Sequence, residues 1–324
     1  MMGSMTKRGW TTADVPAQSG RTVVVTGGNT GLGFEVARVL ARAGARVVIA
    51  ARDTDKARHA IAEIATGVRR ARQAAGFRNG PAAAVESVRL DLTSLASVKE
   101  AAEECRSRYD RVDLLVNNAG VMMTPYARTE DGFELQFGTN HLGPFAFTGL
   151  LLDHMANVPG ARIVTVSSVM HRRGQLDIDT LAAQQGHDGY NRTAAYARSK
   201  LANLLFTYEL QRRLQAADGQ AVALAAHPGY AITGLTRNLP PLQRAGERVI
   251  APLLAQNAEM GALPIIRAAT DPDAHGGEYY GPGNAMQTKG RPRLVGSSHR
   301  SHDAELARRL WAESERMTGV RYPL

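Results

Sequence analysis

Short β-branched runs alternate with helix-patterned segments along most of this chain, and that alternation most limits what it can fold into. Thr22–Thr26 (TVVVT) leads into a glycine turn and then Phe34–Ala43, where Val36, Val39, Leu40 and Ala43 recur at helical spacing before Gly44. Arg46–Ala51, Val85–Leu90, Val112–Val116, Arg162–Val166 and Ala221–Ala226 read as further strands. Between them, Thr54–Ile64, Leu95–Tyr109, Phe133–Met155 and Ala195–Gln215 read as helices. Strands that are apolar on both faces need cover on both sides, and helical crossovers make neighbouring strands parallel. The expected fold is α/β, a doubly wound parallel sheet with helices on both faces.

The chain has 324 residues, 44% of them apolar, which suffices for a full core. The strand–helix pattern runs without a composition break to about residue 226. One domain is therefore expected over 21–324, behind an N-terminal extension at 1–20. Three stretches read as elaborations: Gly67–Ala84, Arg172–Arg192, and the Pro/Leu-rich, lid-like segment at about 235–256. Net charge is +9, from 39 basic and 30 acidic residues, but the basic residues fall in isolated pairs such as Arg69-Arg70 and Arg308-Arg309. They form no stripe, so they read as solvated surface and no nucleic-acid partner is expected. The single cysteine, Cys105, excludes an internal disulfide framework and a cysteine-based metal cluster, and no metal is expected. The sequence has neither the long apolar run of a membrane span nor, in residues 1–20, the apolar core of a signal peptide. A cytoplasmic location is the expectation.

The turn after the first strand reads Gly27-Gly28-Asn29-Thr30-Gly31-Leu32-Gly33. A glycine turn between strand and helix presents backbone N–H groups and the positive end of a helix dipole to a pyrophosphate, the Rossmann-type arrangement. The spacing here is G-x-x-x-G-x-G rather than the commoner G-x-G-x-x-G, and glycines also serve as plain turns. The end of the second strand bears on NAD against NADP: a carboxylate there holds the ribose hydroxyls, whereas an arginine accepts a 2′-phosphate. That strand ends Ala50-Ala51-Arg52, so Arg52 favours NADP(H), with NAD(H) as the alternative. Asp53 either faces the adenosine ribose or caps the next helix, and its place just before Thr54 favours the cap.

Tyr196 and Lys200 lie four residues apart on a helix and share a face. A free phenol titrates near ~10, and a neighbouring ammonium favours the phenolate, so the pair makes a candidate general acid/base. Alone, such a pair also fits a surface tyrosine beside a solvated lysine. Ser168, 28 residues upstream, could be a strand-end cap or a partner to that chemistry.

Together these residues resemble the short-chain dehydrogenase/reductase family over about residues 20–324. The likeness rests on Thr26-Gly27-x-x-x-Gly31-x-Gly33, Asp91-Leu92, Asn117-Asn118-Ala119-Gly120, Asn140, Ser168, Tyr196 with Lys200, and Pro228-Gly229 with Thr233. Within the family the chain is similar to the retinol dehydrogenase-like branch in Asn29-Thr30-Gly31, Asn140-His141-Leu142-Gly143 and Tyr196-x-x-Ser199-Lys200-Leu201-Ala202-Asn203. The resemblance implies hydride transfer between a nicotinamide and a carbonyl or alcohol, with NADP(H) preferred and a lipophilic small-molecule substrate. It implies catalytic roles for Ser168, Tyr196, Lys200 and Asn140. Cofactor contacts are implied for Gly27, Asn29, Thr30, Gly31, Leu32, Gly33, Arg52, Asp91, Leu92, Asn118, Ala119, Gly120, Tyr196, Lys200, Pro228, Gly229 and Thr233. Asn140 would anchor a water linking Lys200 to solvent. A homodimer or homotetramer is implied without a choice between them. Protochlorophyllide reductases are near relatives too, but Cys105 precedes the fourth strand, far in sequence from the loops expected to border the substrate, so that activity is not expected. The separation of Ser168 from Tyr196 is roughly double that of many members, so the intervening segment must loop out. His141 and His171 read as structural. A non-catalytic NADP(H)-binding redox sensor on the same fold is the alternative, though such proteins typically lack the Tyr/Lys pair kept here.

Overall fold

A computed structural model of the chain describes residues 9–74, 84–179, 181, 189–230 and 256–324. β1 (Thr22–Thr26), α1 (Gly31–Arg42), β2 (Arg46–Ala51), α2 (Thr54–Ala74), β3 (Val85–Arg89) and α3 (Leu95–Arg108) build the first half. β4 (Leu114–Asn117), α4 (Leu135–Phe137), α5 (Gly143–Leu151), β5 (Arg162–Val166), α6 (Arg192–Ala216) and β6 (Val222–Ala226) follow. The sheet order is β3-β2-β1-β4-β5-β6, extended by β7 (Tyr279–Pro282) and β8 (Pro292–Leu294). Every pair is parallel except β7 with β8. The chain winds outward one way from β1 and the other way from β4. That reversal opens a crevice at the carboxyl ends of these two strands, where open α/β sheets bind ligands.

Alternate strand residues feed two cores. Val23, Val25, Val47 and Ile49 pack with α1, α2 and the helix Ala258–Thr270. Val24, Val48, Leu115 and Ile163 face α3, α5 and part of α6. Both faces are covered, which explains strands that are apolar throughout. In the second core Trp311, on the C-terminal helix Ala304–Thr318, lies 5.2 Å from the Phe145 ring and 4.4 Å from Tyr322. The Tyr322 hydroxyl donates to the Phe145 carbonyl at 2.6 Å.

Several elements differ from the sequence reading. α2 does not stop at Ile64 but runs through Gly67 to Ala74, because Ala57, Ala60, Ile64 and Val68 continue one buried stripe. The expected helix Phe133–Met155 is broken. Glu134 caps its start by accepting from Gln136 N and Phe137 N, and Gly138–Leu142 forms a π-turn ahead of Pro144. Proline has no N–H to return to the carbonyl of Asn140, and the Gly143 N–H bonds the Gly138 carbonyl five residues back, so the helix is underwound there and resumes as α5. β7 and β8 were not expected; they are short and carry little periodicity.

Candidate active site

The glycine turn lies at the mouth of the crevice. Gly27 has φ +65°, and its N–H donates to the Ala50 carbonyl at 2.8 Å, tying the turn to β2. Gly31 opens α1 behind Thr30, whose extended backbone makes it the N-cap. A Cβ on Gly33 would collide with the Gly27 carbonyl and the Asn118 amide, so the third glycine is there for close approach. Thr26 joins this turn to the loop after β4: its hydroxyl accepts from Asn118 N at 3.0 Å and Ala119 N at 2.9 Å. The Asn118 side chain donates back to the Thr26 carbonyl at 2.9 Å. A cleft of about 810 Å³ runs from Gly27, Thr30 and Arg52 past Asn118 and Gly120 to Tyr196 and Lys200. Asn29, Gly31, Leu32, Asp91, Leu92, Ala119 and Pro228 line it too.

At one end of the cleft Arg52 is 69% exposed, its Nε 3.8 Å from Asp91 Oδ2. Asp53 caps α2: Oδ1 accepts from Lys56 N at 3.0 Å and Oδ2 from Lys56 Nζ at 2.6 Å. These bonds hold its carboxyl below the usual range, and they occupy both oxygens. Asp91 Oδ1 accepts from Thr93 N and Oγ1, at 3.0 and 2.7 Å, which fixes the turn after β3. This end therefore offers two cations, Arg52 and Lys56, to a ligand.

At the other end α6 carries Tyr196 and, one turn on, Lys200. Asn191 caps that helix by accepting from Thr193 N and Ala194 N, each at 3.0 Å. Lys200 Nζ donates to the Val166 carbonyl at the end of β5 at 3.0 Å and lies 5.8 Å from the Tyr196 ring centre. Ser168 follows two residues after Val166, close enough to Tyr196 to act on its phenol, and its hydroxyl accepts from Met170 N at 3.2 Å. Burial pushes the Tyr196 phenol up to about 12, with the Ser168 hydroxyl pulling the other way, and brings the Lys200 ammonium down to about 8. Desolvation, not the lysine charge, is thus the largest influence on the phenol.

Asn140 sits behind these groups in the π-turn. Its Oδ1 accepts from Val121 N at 2.7 Å, and Nδ2 donates to the Val121 carbonyl and Ser199 Oγ, both at 2.9 Å. Ser199 Oγ in turn donates to the Tyr196 carbonyl at 2.8 Å. Gly229, at φ +67°, packs against the Thr288 carbonyl, and the Pro228 carbonyl accepts from Gln256 Nε2 at 2.7 Å. Thr233 and most of the lid-like segment lie outside the described residues. Cys105 is fully buried in α3, with its thiol pushed up to about 12. Sequence reading passed over Glu134, Gln136 and Tyr190, which join the loop after β4 to the start of α6. The available signal was two polar residues, Glu134 and Gln136, beside apolar Phe133, Leu135 and Phe137.

A model of the short chain dehydrogenase family matches residues 21–243. Human retinol dehydrogenase 14 is 37% identical over 311 residues, covering 93% of this chain and 87% of that protein. Human polyprenol dehydrogenase is 36% identical, with 94% and 87% covered. Among solved structures, an uncharacterized protein from Mycobacterium paratuberculosis is 41% identical with a TM-score of 0.78, covering 98% of this chain and all of that one. A blue fluorescent protein from a metagenomic library, in complex with NADPH, is 26% identical with a TM-score of 0.58, over 81% and 95% of the two chains. With its doubly wound sheet and these relatives, the chain belongs to the short-chain dehydrogenase family, in its retinol dehydrogenase-like branch, and is an oxidoreductase of CH–OH and C=O groups.

Proposed function

We propose that the protein is an NADP(H)-dependent reductase/dehydrogenase of a lipophilic carbonyl or alcohol. The observation that carries this reading is one cleft with Arg52 and Lys56 at one end and Tyr196 and Lys200, backed by Ser168, at the other. The residues fit the cofactor. The glycine turn leaves room for a pyrophosphate at the N-terminus of α1, Arg52 and Lys56 suit a 2′-phosphate, and Asp53 is committed to capping. When bound, NADPH supplies a hydride to the carbonyl carbon.

The chain supplies the rest. Tyr196, protonated at neutral pH, donates its proton to the carbonyl oxygen as negative charge grows there. Ser168 hydrogen-bonds the same oxygen and orients it. Lys200, mostly charged below pH 8, stabilises the phenolate left behind and holds the nicotinamide ribose. Asn140 braces Val121, and both its amide hydrogens are spent on protein groups, so any water it holds for Lys200 is met by its main chain. In the oxidative direction the same groups run in reverse. Met122, Pro125, Ala127 and Leu135 give the cleft an apolar wall, which supports a lipophilic substrate, as do the retinol and polyprenol named for the relatives.

The test is NADPH oxidation across retinals, ketosteroids, aliphatic aldehydes and quinones, with NADH and Tyr196→Phe in parallel. Turnover that prefers NADPH and is lost in Tyr196→Phe, with NADPH binding kept within about twofold, is the expected result. Full turnover by Tyr196→Phe refutes the mechanism, and tight NADPH binding without turnover on any substrate favours the redox-sensor reading.

A further inference from the structure

Two buried amides, Gln136 and Asn140, stand four residues apart on the path through the π-turn, and both are spent on one loop. Asn140 holds Val121 at both its N–H and its carbonyl, while Gln136 Oε1 accepts from Met123 N at 2.7 Å. Four helical residues rise about 6 Å, and two extended residues span about 6.7 Å, so the amides meet alternate residues of the loop. Met123 has φ +49°, a left-handed backbone seldom taken by a residue with a side chain. Its neighbours Met122 and Thr124 line the cleft. A strained residue at the wall of a site is reason to ask what holds it.

Gln136 is itself fixed. Its Nε2 donates to the Tyr190 hydroxyl at 2.7 Å and to the Arg192 carbonyl at 2.9 Å. The Tyr190 hydroxyl donates to Glu134 Oε1 at 2.8 Å, and the Glu134 carboxylate also accepts from Gln136 N and Phe137 N. Glu134 and Gln136 are fully buried, and the Tyr190 ring meets Tyr126 edge-on at 5.3 Å. Removing one member of such a network leaves others buried and bare, so it favours a single arrangement. It locks together the loop after β4, the turn at α4 and the lead-in to the helix that bears Tyr196.

We infer that Gln136 is a positioning residue for the substrate side of the cleft. It holds Met123 in its left-handed backbone and so sets the wall that Met122 and Thr124 present to the organic group of the carbonyl compound. The inference rests on the reductase reading for the identity of that occupant. Glu134 and Tyr190 act through Gln136, not on the substrate.

The test compares the unaltered protein with Gln136→Met, which keeps the length and removes every side-chain hydrogen bond, and with the milder Tyr190→Phe. Three quantities are read: NADPH Kd by fluorescence, KM and kcat for one bulky and one small carbonyl, and hydrogen exchange over residues 121–126. Gln136→Met is expected to raise KM at least tenfold for the bulky carbonyl and less for the small one. NADPH Kd should stay within twofold, kcat should move less than KM, and exchange should speed up over 121–126 but not over Gly27–Gly33. Tyr190→Phe should shift the same quantities in the same direction by a smaller factor, and it carries the test if Gln136→Met does not fold. Unchanged KM values and unchanged exchange in folded variants overturn the inference, as does an NADPH Kd that weakens in step with KM. An unaltered protein that binds NADPH but reduces no carbonyl instead overturns the reductase reading, and with it the substrate role of Gln136. The exchange measurement then still decides whether Gln136 holds the loop.

Discussion

Replacing Arg52 with alanine tests the cofactor preference where the structure makes it most exposed to failure. A unit charge pair 4 Å apart is worth about 1 kcal/mol in water and about 4 kcal/mol at a partly screened protein surface. Arg52 is 69% exposed and must leave or share Asp91 Oδ2, 3.8 Å away, so the lower part of that range applies. Lys56 keeps some positive charge at the same end, though its ammonium already bonds Asp53 at 2.6 Å. Arg52→Ala should therefore weaken NADPH by about 1–2 kcal/mol, or about 5–30-fold in Kd. NADH, which lacks the 2′-phosphate, should change by less than about twofold. Fluorescence titration of both cofactors at low and high salt is the assay. The selectivity of the unaltered protein should shrink as salt rises, while that of the variant should barely respond. Equal losses for both cofactors, or none for either, would refute the assignment of Arg52 to the 2′-phosphate.

Burial lowers His141 to about 3, His171 to about 4 and His227 to about 3, so between those values and ~6.5 the unfolded chain binds protons that the folded one does not. Stability should then fall as pH drops below about 6.5, by up to about 4 kcal/mol per pH unit near pH 5 for the three together, and urea midpoints at pH 7, 6 and 5 measure it. His171→Gln should flatten that slope by about a third, and an unaltered slope would show that other groups set it. Gly33→Ala places a Cβ against the Gly27 carbonyl, a backbone atom that cannot rotate aside, and should cost about 1–3 kcal/mol in denaturant midpoint while weakening NADPH binding. Trp311→Ala removes the ring packed on Phe145 and Tyr322 and should cost about 3–5 kcal/mol in the same measurement, with a smaller loss counting against a well-packed seat.

The alternation of strand and helix was legible in the sequence because both-sided burial writes itself as unbroken apolar runs such as Val23-Val24-Val25. The glycine turn was legible for a related reason: tight backbone geometry admits few residue types. What escaped were features set by long-range partners. The π-turn depends on Pro144, one residue in a segment otherwise compatible with a continuous helix. α2 overran its expected end because Val68 found the core, which outweighed Gly67. β7 exists because β6 offers it an edge, with Ala225 paired to Tyr279 and Ala226 to Tyr280. The Gln136 network joins residues 54 and 56 positions apart, so no local spacing announces it. The opposing effects of burial on Tyr196 and Lys200 likewise depend on depth, which sequence spacing does not encode.

The seat of Trp311 and Tyr322 against Phe145 also bears on the order in which the molecule can be finished. A chain made from its N-terminus emerges with β1 to β6 and their helices long before residues 311–322 exist. Until then Phe145 and Phe206 have each other but lack the Trp311 and Tyr322 rings, and the Phe145 carbonyl lacks the Tyr322 hydroxyl. A nascent protein stalled before Trp311 should therefore show an apolar face to chaperones or hydrophobic dyes, and one released after Tyr322 should not.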